Sequence, residues 1–192
     1  LVLDLSELAI YTILTELEAA AHALKVDLVP LIGSVQDRAF IADALATHQI
    51  DTIYHAAAYK HVPLMEINVA QAIKNNTLGT MVVAEEAVRA KVASFTLIST
   101  DKAVNPTNVM GASKRLAERI YQMVSLNQTK TRFSIVRFGN VLGSSGSVVP
   151  LFKKQIASGG PVTLTHQDVT RYFMTIGEAV QLVIQASSLA KG

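Results

Sequence analysis

The chain has 192 residues, half of them hydrophobic and 17% charged, with a net charge of +2. That balance excludes a disordered chain, which needs low hydrophobicity and high net charge, and a nucleic-acid surface built on electrostatics. There is no cysteine, which excludes disulfides, thiolate metal sites and thiol nucleophiles together.

In chain order, Leu1–Leu3 opens on an apolar run that Asp4 interrupts, which fits neither a signal peptide nor an initiator start. The expectation is an internal portion of a longer protein. Helical spacing follows over Glu7–Leu24, then a β-rich run at Leu28–Ile32, a helix at Asp37–His48 and a strand at Thr52–His55. A long helical stretch covers Val69–Ala90, followed by strand Ser94–Ser99, helix Ser113–Leu126 and strand Arg132–Phe138. Such alternation predicts a doubly wound parallel α/β sheet with helices on both faces. Beyond Phe138 the pattern weakens: a Gly-Ser-Ser-Gly loop at Gly143–Gly146, a helix at Val148–Ala157, a turn at Gly159-Gly160-Pro161, a short strand at Val162–Thr165 and a final helix at Glu178–Leu189. This tail is too short for its own core and reads as a substrate-side appendage. No apolar run approaches the roughly 18 residues of a membrane-spanning helix.

In a doubly wound sheet, ligands bind beyond the C-terminal strand ends. Five such ends carry small or polar residues: Asp4-Leu5-Ser6, Gly33-Ser34, Ala56–Lys60, Ser99–Lys102 and Gly139-Asn140. Asp4 is either the acid that takes a ribose hydroxyl pair or a helix N-cap. Asp101 beside Lys102 sets an acid and a base together at the mouth of the sheet, although a capped loop with a solvated ion pair has the same composition. Lys114, early in a helix where the dipole disfavours it, suggests another use such as a cofactor ribose. A methionine at Met110's helical spacing is more often core than catalyst. The five histidines show no metal-ligand spacing, and neither a G-x-G-x-x-G phosphate loop nor a G-x-S-x-G elbow occurs.

The runs Ala56–Lys60, Asn76–Thr80, Ser99–Pro106 and Arg137–Pro150 resemble the extended short-chain dehydrogenase/reductases. Within them, the chain is similar to the polysaccharide-biosynthesis nucleotide-sugar 4,6-dehydratases, which usually act on UDP-N-acetylglucosamine. The resemblance implies a Rossmann-type core over residues 1–140 lacking its first strand and glycine loop, with 141–192 on the substrate side. Without that loop the chain alone is expected to hold cofactor weakly.

The resemblance also implies an enzyme that removes hydride from sugar C4, eliminates water across C5–C6 and returns hydride to C6, for capsule or O-antigen synthesis. Asp101 would be the acid for the departing 6-hydroxyl, Lys102 the C5 base, Thr100 the partner of the 4-oxygen and Lys114 the group that orients the nicotinamide ribose. Met110 stands where the superfamily has its tyrosine base, as in the large methionine-type subclass. Asp4, Ser6, Ser34, Val35, Ala56, Ala57, Ala58, Lys60, Asn76 and Lys114 would line NAD or NADP. Lys60, Asn140 and Arg171 would hold a UDP-N-acetylhexosamine. The same resemblance gives a cytoplasmic homo-oligomer whose longer parent is membrane-anchored at the inner face. The rival readings are a C4 epimerase of the same superfamily and a non-catalytic assembly or regulatory module.

Overall fold

The computed structural model describes residues 1–144, 148–164, 166–168 and 170–190. Strand β1 (Val2–Asp4) leads into helix α1 (Glu7–Leu24), whose N-cap is Ser6: its hydroxyl accepts the Ala9 N–H at 3.2 Å. Strand β2 (Pro30–Ile32) pairs with β1 in parallel, in the register Leu3 to Leu31. Helix α2 (Arg38–Thr47) is shorter than its periodic pattern because Asp37 and His48 serve as its two caps. Strand β3 (Thr52–His55) then joins β4 (Ser94–Thr100) and β5 (Arg132–Phe138) in a three-stranded parallel sheet, order β3-β4-β5.

These strands form two separate hydrogen-bonded sheets where the sequence predicts one. Between β1 and β3 lies a cavity of about 420 Å³, lined by Leu1 and Leu3 on one side, Ile53 and Tyr54 on the other, and Ile41 and Leu45 of α2. The α/β class holds, with parallel strands throughout and helices packed against them.

The helical stretch at Val69–Ala90 is not one helix. It divides into α4 (Val69–Ala72), a π-helical turn at Ile73–Gly79 and α5 (Thr80–Arg89). The widened turn brings buried polar groups to partners outside the helix: Thr77 Oγ1 donates to the Ser113 carbonyl at 2.9 Å, and the Asn76 amide reaches Tyr59 and Ser113. A preceding helix α3 (Val62–Ile67), with Pro63 in its first turn, is absent from the periodicity reading. Helix α6 (Val109–Leu126) starts four residues ahead of the predicted Ser113, since Asn108 caps it by accepting the Gly111 N–H at 2.8 Å.

Phe95 and Leu97 of β4 are fully buried among Val82, Val83, Ala84 and Ala87 of α5 and Tyr121 of α6. Tyr121 stands edge-on to Phe95 at 5.0 Å and to Phe133 at 4.7 Å, and its hydroxyl reaches the Phe95 and Ser134 carbonyls. The buried phenol is pushed above its ordinary pKa, so Tyr121 is a satisfied core group rather than a base.

After β5 the chain forms β6 (Asn140–Val141), α7 (Val148–Ala157), β7 (Phe173–Met174) and α8 (Ile176–Leu189). β6 and β7 pair in parallel, which the sequence reading did not anticipate. Val162–Leu164 of the expected strand are irregular, tied instead to α7 where the Gln155 amide donates to Thr163 Oγ1 at 2.8 Å. Thr165 of that strand, and Ser145 and Gly146 of the Gly-Ser-Ser-Gly loop, lie outside the described residues. Helix α8 begins two residues before the predicted Glu178, because Thr175 and Glu178 close a capping box. Both α6 and α8 pack on β4 and β5. Among the described residues no helix is long and apolar enough to cross a membrane, and no group of three or more His, Asp or Glu side chains could hold a metal.

Candidate active site

The C-terminal ends of β3, β4 and β5 and the first turns of α6 surround a cavity of about 380 Å³. Its walls bring together Ala56, Ala58, Lys60, Thr100, Lys102, Met110, Lys114 and Asn140. Tyr59, Ser99, Phe138 and Ser144, which lie in the runs picked out above but carried no role of their own, also line it, as do His61 and Phe173, which sequence reasoning did not single out. A smaller hollow of about 140 Å³ joins Asp4, Ser34, Val35, Ala57 and Ala58 with Gly33, Tyr59 and Asn75. Ala58 and Tyr59 line both, so the two hollows meet at the loop that follows β3.

Asp101 and Lys102 lie in a single 3₁₀ turn just beyond β4. Lys102 Nζ donates to Asp101 Oδ1 at 3.1 Å and to Asn140 Oδ1 at 3.4 Å, so the ammonium is steered from both the β4 and β5 ends. Thr100 Oγ1 donates to the same Asp101 oxygen at 2.8 Å. Burial raises the Asp101 pKa, but the Thr100 hydroxyl and the Lys102 ammonium outweigh it and hold the carboxyl below its ordinary value. The resting state is therefore an ion pair.

Lys114 is buried, 4% exposed, and donates to the Ile98 carbonyl at 2.7 Å. An ammonium has three donors, so two remain for a ligand in the cavity. Burial pushes its pKa down to about 8, against the opposing charge of Glu118. Met110 is also 4% exposed and packs with Met65 and Ala72, its thioether forming apolar wall.

Asn76 is fully buried. It accepts the Tyr59 N–H at 2.7 Å, donates to the Tyr59 carbonyl at 3.0 Å and reaches Ser113 Oγ at 2.9 Å. Its side chain is thus spent on clamping the loop after β3 to α6. Asp4 Oδ1 accepts the Ser6 N–H at 2.8 Å while Ser6 itself caps α1, which puts Asp4 at the strand end and the capping role on its neighbour. Arg171 is exposed, bonded to the Thr170 carbonyl at 2.9 Å, and does not line the cavity.

His55, just before Ala56, is 4% exposed and contacts Thr80 Oγ1 at 3.1 Å. Burial, reinforced by the Lys114 charge, pushes its pKa down to about 3 from an ordinary 6.5. Below pH 6.5 the unfolded chain takes a proton that the folded chain refuses, so stability is full above 6.5 and falls as pH drops toward 3. The shifted carboxylates contribute only below about 4.5. Urea midpoints should therefore fall between pH 6.5 and 4.5 in the wild type and stay level there in His55→Gln. A level wild-type curve would mean that the imidazole is not held neutral.

A family model described as "Polysaccharide biosynthesis protein" matches residues 1–192. The chain is 55% identical over 186 residues to the capsular polysaccharide biosynthesis protein CapD of Staphylococcus aureus, covering 97% of this chain and 31% of that protein. It is 42% identical over 159 residues to a UDP-glucose 4-epimerase of Rickettsia canadensis, covering 81% of this chain and 46% of that one. Among solved structures, Pen from Bacillus thuringiensis superposes with a TM-score of 0.91 at 35% identity, over 99% of this chain and 57% of its own. The dTDP-glucose 4,6-dehydratase DesIV of Streptomyces venezuelae, solved with NAD bound, superposes at 0.77 and 21% identity over 90% and 60%, which shows a shared fold.

Proposed function

The chain belongs to the polysaccharide biosynthesis protein family, and from that premise we propose that it forms the catalytic part of an NAD(P)-dependent nucleotide-sugar 4,6-dehydratase. The substrate is a UDP-N-acetylhexosamine and the product its 4-keto-6-deoxy derivative. The observation that carries this reading is the Asp101–Lys102 pair, whose lysine lines the cavity, because elimination across C5–C6 needs an acid and a base beyond the proton acceptor that C4 redox chemistry uses.

The cofactor residues fit a dinucleotide. Alanines at 57 and 58 leave room in the smaller hollow, Asp4 presents a carboxylate at the strand end, and Lys114 keeps two N–H donors for a ribose. Bound there, NAD(P) would supply the acceptor and later the donor of one hydride; solvent water takes the 4-hydroxyl proton as that hydride leaves C4 and gives one to C5 as the hydride reaches C6. DesIV, with NAD bound, is a neighbour in fold that supports the same cofactor class.

The ion pair carries the elimination. Passage of one proton across the 3.1 Å contact from Lys102 Nζ to Asp101 turns the pair into a neutral acid and a neutral base. Lys102 then takes the C5 proton, Asp101 gives its proton to the leaving 6-hydroxyl, and the pair returns to its ionised resting state. Asn140 holds Lys102 over the sugar in that step, a role beside the substrate contact predicted for it. Lys60 on the same wall suits the diphosphate. The second reading, C4 epimerisation, has the Rickettsia canadensis relative in its favour. The test is the product formed by the whole protein from UDP-N-acetylglucosamine: a 4-keto-6-deoxy sugar supports dehydration, while a C4 epimer or no turnover overturns it.

Met110 supplies packing in this scheme. Met110→Leu should cost about 1 kcal/mol of stability or less and keep most of the turnover. Met110→Ala should lose about 2–5 kcal/mol by opening a cavity beside Met65. Wild-type pH–rate profiles should lack a phenol limb, while Met110→Tyr gains one. Loss of hydride transfer in a folded Met110→Leu protein would show a chemical role for the thioether.

A further inference from the structure

Glu118 lies one helical turn beyond Lys114 on α6, and none of its side chain reaches solvent. Its carboxylate accepts Ser99 Oγ at 2.6 Å, Arg137 Nε at 2.8 Å and Nη2 at 2.6 Å, and Arg115 Nη1 at 3.2 Å. Ser99 and Arg137 are register partners on β4 and β5, each one residue before its strand's end. One buried carboxylate therefore bridges the strands whose next residues are Thr100–Lys102 and Gly139-Asn140. A buried ion pair gives little net stability over apolar packing of the same volume, so its placement directly behind the site invites a functional reason.

The surroundings of Lys114 supply that reason. On β3, His55 is held neutral at pH 7. Beyond β4, Asp101 is committed to Lys102, and Lys102 adds positive charge. On β5 and α6, Arg137 and Arg115 are cations, and Lys60 and His61 on the cavity wall are basic side chains. Of the groups around this ammonium, Glu118 is the anion whose charge acts on it.

We propose that Glu118 is a positioning residue of the active site: it holds the β4 and β5 ends against α6 and supplies the buried negative charge that keeps the Lys114 ammonium ionised. The idea rests on the reading of Lys114 as the cofactor-facing lysine. Its test reads the lysine's own titration, so a negative product assay would leave it standing.

The experiment follows lysine Cε and Nζ resonances of the whole protein against pH, with Lys114 identified by its loss in Lys114→Arg. The wild-type midpoint is expected near 8. In Glu118→Gln it should fall by about 1–2 units, the usual reach of a lost opposite charge at close range. Glu118→Asp, which keeps the charge, should hold the midpoint close to wild type; if Glu118→Gln does not fold, Arg115→Gln, which removes the cation facing the Glu118 carboxylate, carries the test. Arg115→Gln should move the midpoint the other way. A structural brace alone would leave the midpoint unmoved. An unchanged midpoint in folded Glu118→Gln, a midpoint in Glu118→Asp displaced as far as complete loss of charge predicts, or a wild-type lysine titrating at its ordinary 10.5 would overturn the proposal.

Discussion

Asp101→Asn and Lys102→Ala are each expected to lower turnover by about 10²–10⁴-fold, the scale of lost acid–base catalysis. The reason is the shared proton. Asparagine at 101 can neither receive the proton from Lys102 nor give one to the leaving hydroxyl, and alanine at 102 removes the C5 base and Asp101's cation at once. Both groups act on charge that develops during elimination, so KM should move far less than kcat. Double replacement should cost little more than either single change, because the two residues act as one unit. Steady-state kinetics on the whole protein check this, and a single variant with near-normal kcat would remove that residue from the chemistry.

Gly111→Ala is expected to be nearly as damaging, although the added methyl touches no substrate. A Cβ there would sit 2.5 Å from the Lys102 carbonyl oxygen and 3.2 Å from its carbon. Both are backbone atoms of the turn that presents the ion pair, so either α6 or that turn must move. Overpacking of this kind costs about 1–3 kcal/mol. A displacement near 1 Å at the catalytic groups lowers the rate by about 10²-fold. Gly177→Ala in the first turn of α8 is the matched control: its Cβ would meet only Thr175 Oγ1, at 4.0 Å, so stability should hold or rise by up to about 1 kcal/mol. Thermal midpoints and kcat measured on the pair decide it. Equal effects at the two glycines would refute the steric argument.

Contiguous features of this fold were legible in the sequence. Periodicity places α1, α2, β3, β4 and β5 nearly as the structure has them, since each strand or helix writes its period into several successive residues. Caps fall outside that signal, so α6 and α8 begin earlier than their apolar patterns. The π-helical turn was invisible because it interrupts a helical period without ending it; Asn75-Asn76 inside an apolar stretch was the clue available. Strands β6 and β7, of two residues each, are too short to have a period at all.

The site divides along the same line. Thr100-Asp101-Lys102 is adjacent in sequence and could be read as a unit. The contacts that steer it span 38 residues to Asn140, and the bridge from Glu118 spans 19 to both Ser99 and Arg137. Arg171 has the chemistry for a diphosphate, yet its side chain is exposed and not part of the cavity lining, which residue type alone could not reveal.

The central claim is that the Asp101–Lys102 pair drives elimination from a sugar oxidised at C4, and isotope tracing tests it most directly. The whole protein would be given UDP-N-acetylglucosamine deuterated at C4, in ordinary water, and the product examined by NMR and mass spectrometry. Dehydration predicts a 4-keto-6-deoxy sugar with the deuterium moved to C6, and the same reaction in heavy water on unlabelled substrate predicts one solvent deuteron at C5. A product that keeps deuterium at C4 with its 6-hydroxyl intact, inverted only at that carbon, would contradict the account.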